Sequence, residues 1–141
     1  MAPDITPASP CPCGTGETFG DCCQPILKDA RLAVTAEQLM RSRYTATYLH
    51  DDEHLYRTWH PGTRPQEIKR SNLAWRGLRI LAVVDGQAGD QRGEVEFQAT
   101  YSDYRVRIHH ERSEFVWRAN RWMYVKALED KSPPRWNNML A

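Results

Sequence analysis

Apolar and polar residues in the first part of the chain recur at the spacing of an α-helix. Residues 35–38 read Thr-Ala-Glu-Gln, a capping box in which the threonine and glutamine side chains bond to the first backbone amides of a helix. A stripe at helical spacing follows, consisting of Leu39, Met40, Tyr44, Thr47 and Tyr48. The pattern predicts an amphipathic helix that begins after Thr35.

Two shorter helical segments are predicted after this helix. Asp51 is a suitable N-cap residue and Pro61 cannot continue a helix, so we expect a short helix between Asp51 and Trp59. Pro65 fits the first position of a helix, which predicts a third helical turn through Arg70. The predicted helices therefore all precede the strands described next.

From Leu73 the period of the pattern changes to two. Polar residues alternate with Val95, Phe97, Ala99 and Tyr101, as in an antiparallel strand with one buried face. Turn residues at 85–86, 90–91, 102–103 and 120 divide this half into four strands, the last two at 104–117 and 122–128. Helices followed by a four-strand meander predict an α+β fold, a cystatin-like cone with N-terminal helices packed on a curved antiparallel sheet.

The composition is that of a globular protein, because 40% of the 141 residues are hydrophobic and 26% are charged. The net charge of +1 disfavours a nucleic-acid partner, since acidic residues interrupt basic ones such as Arg105 and Arg107. No apolar run approaches the roughly 18 residues of a membrane span. Residues 1–10 lack the basic and apolar segments of a secretory signal, so we expect a cytoplasmic location.

All four cysteines of the chain occur within thirteen residues, as Cys11, Cys13, Cys22 and Cys23. Four thiolates are the closed ligand set of a structural zinc site, and the glycines between the two pairs allow the chain to turn back. Disulfides are an alternative, but a reducing compartment disfavours them and bridges between such close neighbours would be strained. Free thiols, Cu(I) and an iron–sulfur centre are further alternatives. We predict one structural zinc ion per chain.

A second group of candidate residues surrounds Glu111. Alternation places Glu111, Ser113 and Phe115 on one face of their strand. If that face packs on the helices, the carboxylate needs a buried partner, and Arg43 on the first helix is the predicted one. The predicted pocket and ion-pair residues are Arg41, Arg43, Tyr44, Trp59, Glu111, Ser113, Phe115, Trp122 and Tyr124.

Three roles are open for this group. The Arg43–Glu111 pair can fix the helix against the sheet, the pocket can bind a ligand, or Glu111 can act as a general base with His60 or a tyrosine as the acid. His60 can equally be a loop residue that bonds to the backbone. His109 and His110 face opposite ways, so at most one enters a cavity. A salt-bridged carboxylate is a poor base near neutral pH, which favours binding over catalysis.

Two stretches of the sequence resemble known families. Pro10–Cys23, with Cys-Pro-Cys-Gly-x-Gly and the paired cysteines, resembles the SEC-C motif, the zinc-binding segment of the bacterial preprotein translocase ATPase that contacts a secretion chaperone and the ribosome. The spacer carries Glu17 and Asp21 where that motif usually has lysines. Leu39–Ala46 and Gly93–Tyr101 resemble YchJ-like bacterial proteins, and this resemblance extends from about Cys11 to Leu128. It implies a SEC-C segment joined to a nuclear-transport-factor-2-like domain.

These observations divide the chain into a flexible leader (1–10), a finger (11–27), a tether (28–34), a cone domain (35–129) and a tail (130–141). Our leading hypothesis is a zinc-binding adaptor whose finger docks a protein or ribosomal partner, while the cone holds a small ligand or peptide. Such an adaptor needs an exposed apolar patch near the finger, for which Phe19 and Ile26 are candidates. The alternative is a small-molecule enzyme, an isomerase or hydrolase that uses the cone cavity with Glu111.

Overall fold

The computed structural model describes residues 4–68 and 73–133. Three helices precede four strands: α1 (Cys23–Lys28), α2 (Ala36–Leu49), α3 (Asp52–Arg57), β1 (Ala74–Asp85), β2 (Arg92–Ser102), β3 (Val106–Arg118) and β4 (Arg121–Asp130). Short 3₁₀ turns at Phe19–Asp21 and Ala30–Leu32 flank α1. The strands form one antiparallel sheet in the order β1-β2-β3-β4, so the predicted α+β meander is confirmed.

The predicted signals at the helix ends are confirmed. Thr35 accepts from the backbone amide of Gln38, and the Gln38 side chain accepts in return from the amide of Thr35, which completes the capping box of α2. Asp51 accepts from the amide of His54 and caps α3. The predicted third helix is wrong in its described part, because Pro65 and residues 66–68 are not helical, while Arg70 lies outside the described residues.

The sheet buries the face that alternation predicts. Val95, Phe97, Ala99 and Tyr101 of β2 are buried, whereas the residues between them are only partly buried. Helix α2 packs across this face, with Leu39 in the same core. An additional segment lines the free edge of β4, because Trp59 pairs in parallel with Tyr124. This pairing places the residues that follow α3 directly against the sheet.

One hydrophobic core joins the finger to the cone domain. Cys13, Phe19 and Ile26 belong to the same buried cluster as Leu39 of α2 and Val95 of β2. Burial of apolar side chains is the main favourable term in folding, so a shared core couples the stability of the two parts. The finger therefore packs on the cone domain as part of the same folded unit.

The structure corrects the predicted leader and tether. Within residues 4–10, Pro10 bridges to Thr18, and the carbonyl of Pro7 accepts from the amide of Gly20 at 2.8 Å, so this part of the leader is held on the finger. In the tether, Ala33 is fully buried, and the indole of Trp122 donates to the carbonyl oxygen of Val34 at 3.0 Å. Apolar residues in both segments enter the shared core, which the sequence pattern does not indicate. Of the predicted tail, residues 134–141 lie outside the described residues.

Candidate functional site

The four cysteine sulfurs converge on one point. All four Sγ atoms lie within 4.8 Å of one another, with Cys13 and Cys22 at 3.6 Å and Cys22 and Cys23 at 4.0 Å, and none forms a disulfide. A tetrahedral zinc with Zn–S bonds of about 2.3 Å needs sulfurs about 3.8 Å apart. The donor set and its spacing therefore fit a tetrahedral metal ion.

Two tight turns bring the cysteine pairs together. The first pair lies in a turn closed by the amide of Gly14, which donates to the carbonyl of Cys11 at 3.1 Å. Gly14 and Gly16 both have positive φ, at 81° and 92°, a conformation that glycine adopts without strain. The second pair follows the 3₁₀ turn, and Cys23 opens α1.

Side chains around the cluster hold the sulfurs in place. The hydroxyl of Thr45, a buried residue of α2, donates to Cys23 Sγ at 3.3 Å, and the Thr15 hydroxyl lies 3.2 Å from Cys22 Sγ. Arg41 of α2 is one of the predicted pocket residues, but it does not line the cavity; its side chain contacts the finger, where Nη1 donates to the carbonyl of Cys13 at 2.8 Å. Helix α2 thus supplies the support that orients the thiols.

The thiols cannot all ionise without an external cation. Burial raises the pKa of Cys22 to about 12, whereas hydrogen bonds, first from Cys11 and then from Cys23, lower the pKa of Cys13. In the protein alone the Cys22 thiol therefore keeps its proton, as does Cys23, whose pKa is also raised, whereas Cys13 ionises more readily. A divalent cation would replace those protons and allow four thiolates to coexist.

The second candidate site is a cavity of about 190 Å³ between the helices and the sheet. Six of the predicted pocket residues line it: Arg43, Tyr44, Trp59, Glu111, Ser113 and Tyr124. The other walls include Met40, Leu55, Trp75, Phe97 and His109. The cavity is therefore largely aromatic with a small number of buried polar groups, which is typical of small-molecule sites.

Glu111 is held by three hydrogen-bond donors. Its Oε1 accepts from Nε2 of His109 at 2.9 Å, and its Oε2 accepts from the hydroxyls of Ser113 at 2.6 Å and Tyr124 at 2.9 Å. Burial favours a higher pKa for Glu111, but these hydrogen bonds outweigh burial and keep the pKa below its ordinary value. Glu111 is therefore an ionised, fully hydrogen-bonded carboxylate.

The predicted ion pair between Arg43 and Glu111 does not form. Nη1 of Arg43 donates instead to the carbonyl of Leu55 at 2.9 Å and to the hydroxyl of Thr58 at 2.8 Å. The guanidinium lies against the rings of Tyr124 and Trp59, with Cζ 4.7 Å and 5.2 Å from their centroids. Burial lowers the pKa of Arg43 to about 10, which leaves it charged at neutral pH.

His109 is a cavity residue that the sequence interpretation did not select. It pairs with Ala99 across the sheet and lines the cavity beside Glu111, while His110 turns to the outer face and bonds to Glu96 at 2.7 Å. The period of two placed His109 on the same strand face as Glu111, which was the available signal. The hydrogen bond to Glu111 raises the pKa of His109 above its ordinary value.

Three other candidates lie outside the cavity. His60 is a loop residue, since its Nδ1 accepts from the amide of Gly62 at 2.9 Å. Phe115 and Trp122 are buried in the core, where the Phe115 ring packs edge-on against Tyr124 at 5.7 Å. His60 therefore cannot be the acid partner of Glu111 in this arrangement.

The apolar patch predicted near the finger is not formed by the proposed residues. Phe19 and Ile26 are both buried in the shared core. The exposed apolar side chains closest to them in sequence are Leu32 and Val34, each 53% exposed.

No helix among residues 4–68 and 73–133 is long and apolar enough to cross a membrane.

Comparisons with known proteins agree with the two-part architecture. Residues 9–25 match the SEC-C motif, and residues 35–127 match the family model described as "YchJ, middle NTF2-like domain". The solution structure of a SEC-C motif-containing protein from Rhodopseudomonas palustris superposes with a TM-score of 0.73 at 33% identity, covering 83% of this chain and 95% of that one.

Curated relatives extend this similarity over most of the chain. A UPF0225 protein of Geobacter sulfurreducens is 40% identical over 131 residues, which are 88% of this chain and 81% of the relative. A UPF0225 protein of Deinococcus radiodurans is 43% identical over 126 residues, covering 87% and 92% respectively. Fold and cysteine cluster together define a SEC-C motif joined to a nuclear-transport-factor-2-like domain. The chain belongs to the YchJ-like family, whose curated members are UPF0225 proteins.

Proposed function

We propose that this protein is a zinc-containing binding protein whose cone cavity holds a small molecule. The observation that carries the proposal is the cavity of about 190 Å³, in which buried polar groups stand at fixed positions among aromatic walls. Zinc is the metal that best suits four thiolates, three of them on buried residues, and with no fourth position left open it has a structural role. Its place in the core links the metal to the shape of the cavity wall through α2.

Binding fits the cavity better than catalysis by Glu111. Hydrogen bonds to a carboxylate stabilise its charged form, and both oxygens of Glu111 accept them, from His109, Ser113 and Tyr124. Its lowered pKa makes it a weaker base than a free glutamate. These features argue against the isomerase or hydrolase alternative, which needs Glu111 as its base and His60 or a tyrosine as its acid.

The proposal is tested by metal analysis together with a ligand screen. Protein purified without added metal or chelator should carry one zinc per chain, with all four thiols protected from titration. Small neutral and charged aromatic fragments, added to isotope-labelled protein, should shift NMR signals of Trp59, Trp75 and Tyr124 selectively. A panel in which no fragment shifts these signals would refute the binding function, whatever the metal content.

A docking role for the surface beside the finger is a second candidate. Leu32 and Val34 are each 53% exposed, and two large apolar side chains so close in sequence are the kind of surface that partners cover. Purified ribosomes are the first partner to test, by co-sedimentation. If this surface docks, the Leu32→Ser/Val34→Ser double variant should lose co-sedimentation while keeping its zinc and its fold. Equal co-sedimentation of both proteins would place any contact elsewhere.

A further inference from the structure

The cavity contains a polar edge, on Arg43, whose hydrogen-bonding capacity is unused. Both oxygens of Glu111 are occupied by donors, and both N–H groups of Arg43 Nη1 are used by Leu55 and Thr58. Nε and Nη2 of Arg43 donate to no residue in the described part of the chain. Arg43 is only 8% exposed and lines the cavity, so three strong donors of a buried cation lack an acceptor.

The direction of this free edge is fixed. Two hydrogen bonds hold Nη1, and the guanidinium carbon lies over the rings of Tyr124 and Trp59. The remaining Nε–Nη2 edge is the side of arginine that binds a carboxylate through two parallel hydrogen bonds. Because the group is already ordered, a ligand would not have to immobilise it.

The charge of the cavity suits an anion. Among the described residues that line the cavity Glu111 is the only carboxylate, and it accepts hydrogen bonds from His109, Ser113 and Tyr124. The hydrogen bond to Glu111 raises the pKa of His109, and when His109 is protonated this pair is neutral overall. Arg43 then supplies the net positive charge of the cavity, and a buried cation is stabilised by an anionic partner.

The size and the lining of the cavity further limit the class of ligand that fits. An apolar protein cavity of about 150 Å³ holds a benzene molecule, so about 190 Å³ suits a ring that carries one additional small group. The walls supply flat aromatic surfaces from Trp59, Trp75 and Phe97. The indole N–H of Trp59 is also buried without a partner among the described residues, so a ligand oxygen could satisfy it.

We propose that the cone cavity binds a small aromatic carboxylate, gripped side-on by Nε and Nη2 of Arg43. This inference rests on the proposed binding function and specifies its ligand class. Benzoate is the simplest probe. Benzamide is the matched control, because it has the same shape but no charge and presents an NH₂ group to the arginine.

The experiment titrates zinc-loaded protein with benzoate and with benzamide while recording the Arg43 Nε–H and Trp59 indole N–H signals by NMR. Benzoate should shift both signals and bind at least 10-fold more tightly than benzamide. Arg43→Lys keeps the charge but loses the fork, so it should remove most of this preference. Arg57→Lys, on the exposed side of α3, should keep it. The wild-type comparison decides the matter even if the Arg43 variant does not fold.

The two proposals fail in different ways. If benzamide or a neutral fragment shifts the Trp59 signal as strongly as benzoate does, the cavity binds ligands but the anionic class is wrong. If benzoate shifts surface signals only and Arg43 Nε–H is unmoved, the carboxylate grip is likewise wrong. If neither charged nor neutral fragments reach the cavity, the binding function itself is refuted.

Discussion

The cysteine cluster and the cone cavity both place charged groups inside a small protein. They differ in how those charges are balanced. The four thiols come from thirteen consecutive residues and need a cation from outside to complete their charge balance. In the cavity, Arg43 comes from α2 and Glu111 from β3, and their partners are supplied by α3, β3 and β4. On the proposed function, the cluster therefore depends on a metal, whereas the cavity depends on the fold.

This difference has a thermodynamic consequence. Bound metal adds its binding free energy to folding, and it does so for every element that packs on the site. The cluster packs against α2 through Thr45 and Arg41, and α2 also carries Arg43 at the cavity. Loss of the metal should therefore reach the cavity, whereas a single substitution in the cavity removes much less free energy than the metal supplies and should leave the cluster in place.

The sharpest test removes the metal site with Cys23→Ser. Structural zinc contributes about 10–16 kcal/mol in zinc-finger peptides, and whole domains are stable by about 5–15 kcal/mol. Because Cys23 lies in the shared core, we expect the variant to lose its zinc. We also expect the whole chain to lose its cooperatively folded structure. Metal analysis and hydrogen exchange of the amides in α2 and β2 provide the measurement.

Glu17→Gln is the matched control for this change, because Glu17 is an exposed residue of the same spacer. It should keep zinc and stability close to those of the unsubstituted protein. If Cys23→Ser lost its zinc while α2 and β2 kept their exchange protection, the finger would be an independent module. The shared core would then contribute little to the coupling.

Acid should lower the free energy of unfolding because one histidine, His54, is buried in its neutral form. His54 of α3 is fully buried, and burial, together with the charges of Arg43 and Arg57, lowers its pKa to about 3. Below about pH 6.5 the unfolded chain binds a proton at His54 that the folded state refuses until about pH 3. The free energy of unfolding should thus fall by up to about 1.4 kcal/mol per pH unit across that range.

Comparison of variants by chemical unfolding between pH 6.5 and 4.5 isolates this histidine, because the pH dependence of the cysteine cluster is common to all of them. His109 has a raised pKa, so its contribution is fully present below about pH 6.5 and is lost only as the pH rises through its folded value. The lowered pKa of Glu111 matters only below about pH 4.5. His54→Gln should therefore flatten the slope. Equal slopes in this variant and the unsubstituted protein would contradict the assignment.

Local signals were sufficient for much of the fold. The capping box at Thr35–Gln38, the alternation in β2 and the cysteine spacing each depend on residues within a few positions, and all three are found in the structure. Such patterns reflect the geometry of one turn or one strand, which neighbouring residues determine. The order of helices before strands then limited the fold class to helices packed on an antiparallel sheet.

Contacts between distant elements were not predictable in the same way. The partners of Arg43 depend on where α3 ends and on how Trp59 pairs with the edge of β4. Neither can be predicted from the residues around Arg43. Burial of Phe19 likewise depends on the finger packing on α2. His109 is a partial exception. The alternation predicts that it shares a strand face with Glu111, but it does not predict the hydrogen bond between them.

A smaller effect is expected from Glu111→Gln within the cavity. The substitution removes the charge that His109, Ser113 and Tyr124 stabilise, and hydrogen bonds to a charged group contribute about 1.5–3 kcal/mol. We expect a loss of about 2 kcal/mol with zinc fully retained. Glu114→Gln, which breaks a pair with Arg92 on the outer face, should cost less than about 1 kcal/mol.

Urea unfolding of the two glutamine variants, with metal analysis of each, gives the comparison. Loss of zinc in Glu111→Gln would show that the cavity supports the cluster, contrary to the one-way dependence argued above. Equal losses of stability in both variants would mean that the three donors to Glu111 contribute no more than a surface ion pair.

The finest test concerns the support of the cluster by α2. Thr45→Val keeps the shape of a fully buried side chain but removes the hydroxyl that donates to Cys23 Sγ at 3.3 Å. Groups that orient metal ligands typically affect metal affinity by about 10- to 100-fold, and a neutral hydrogen bond to sulfur belongs at the lower end. We expect about 10-fold weaker zinc binding in competition with a chromophoric chelator.

Thr47→Val is the matched control. It removes a hydroxyl that donates to the carbonyl of Arg43 on the cavity side of the same helix, and it should bind zinc as tightly as the unsubstituted protein. Identical zinc affinities for all three proteins would mean that the spacing of the cysteines alone sets the metal site and that α2 merely covers it.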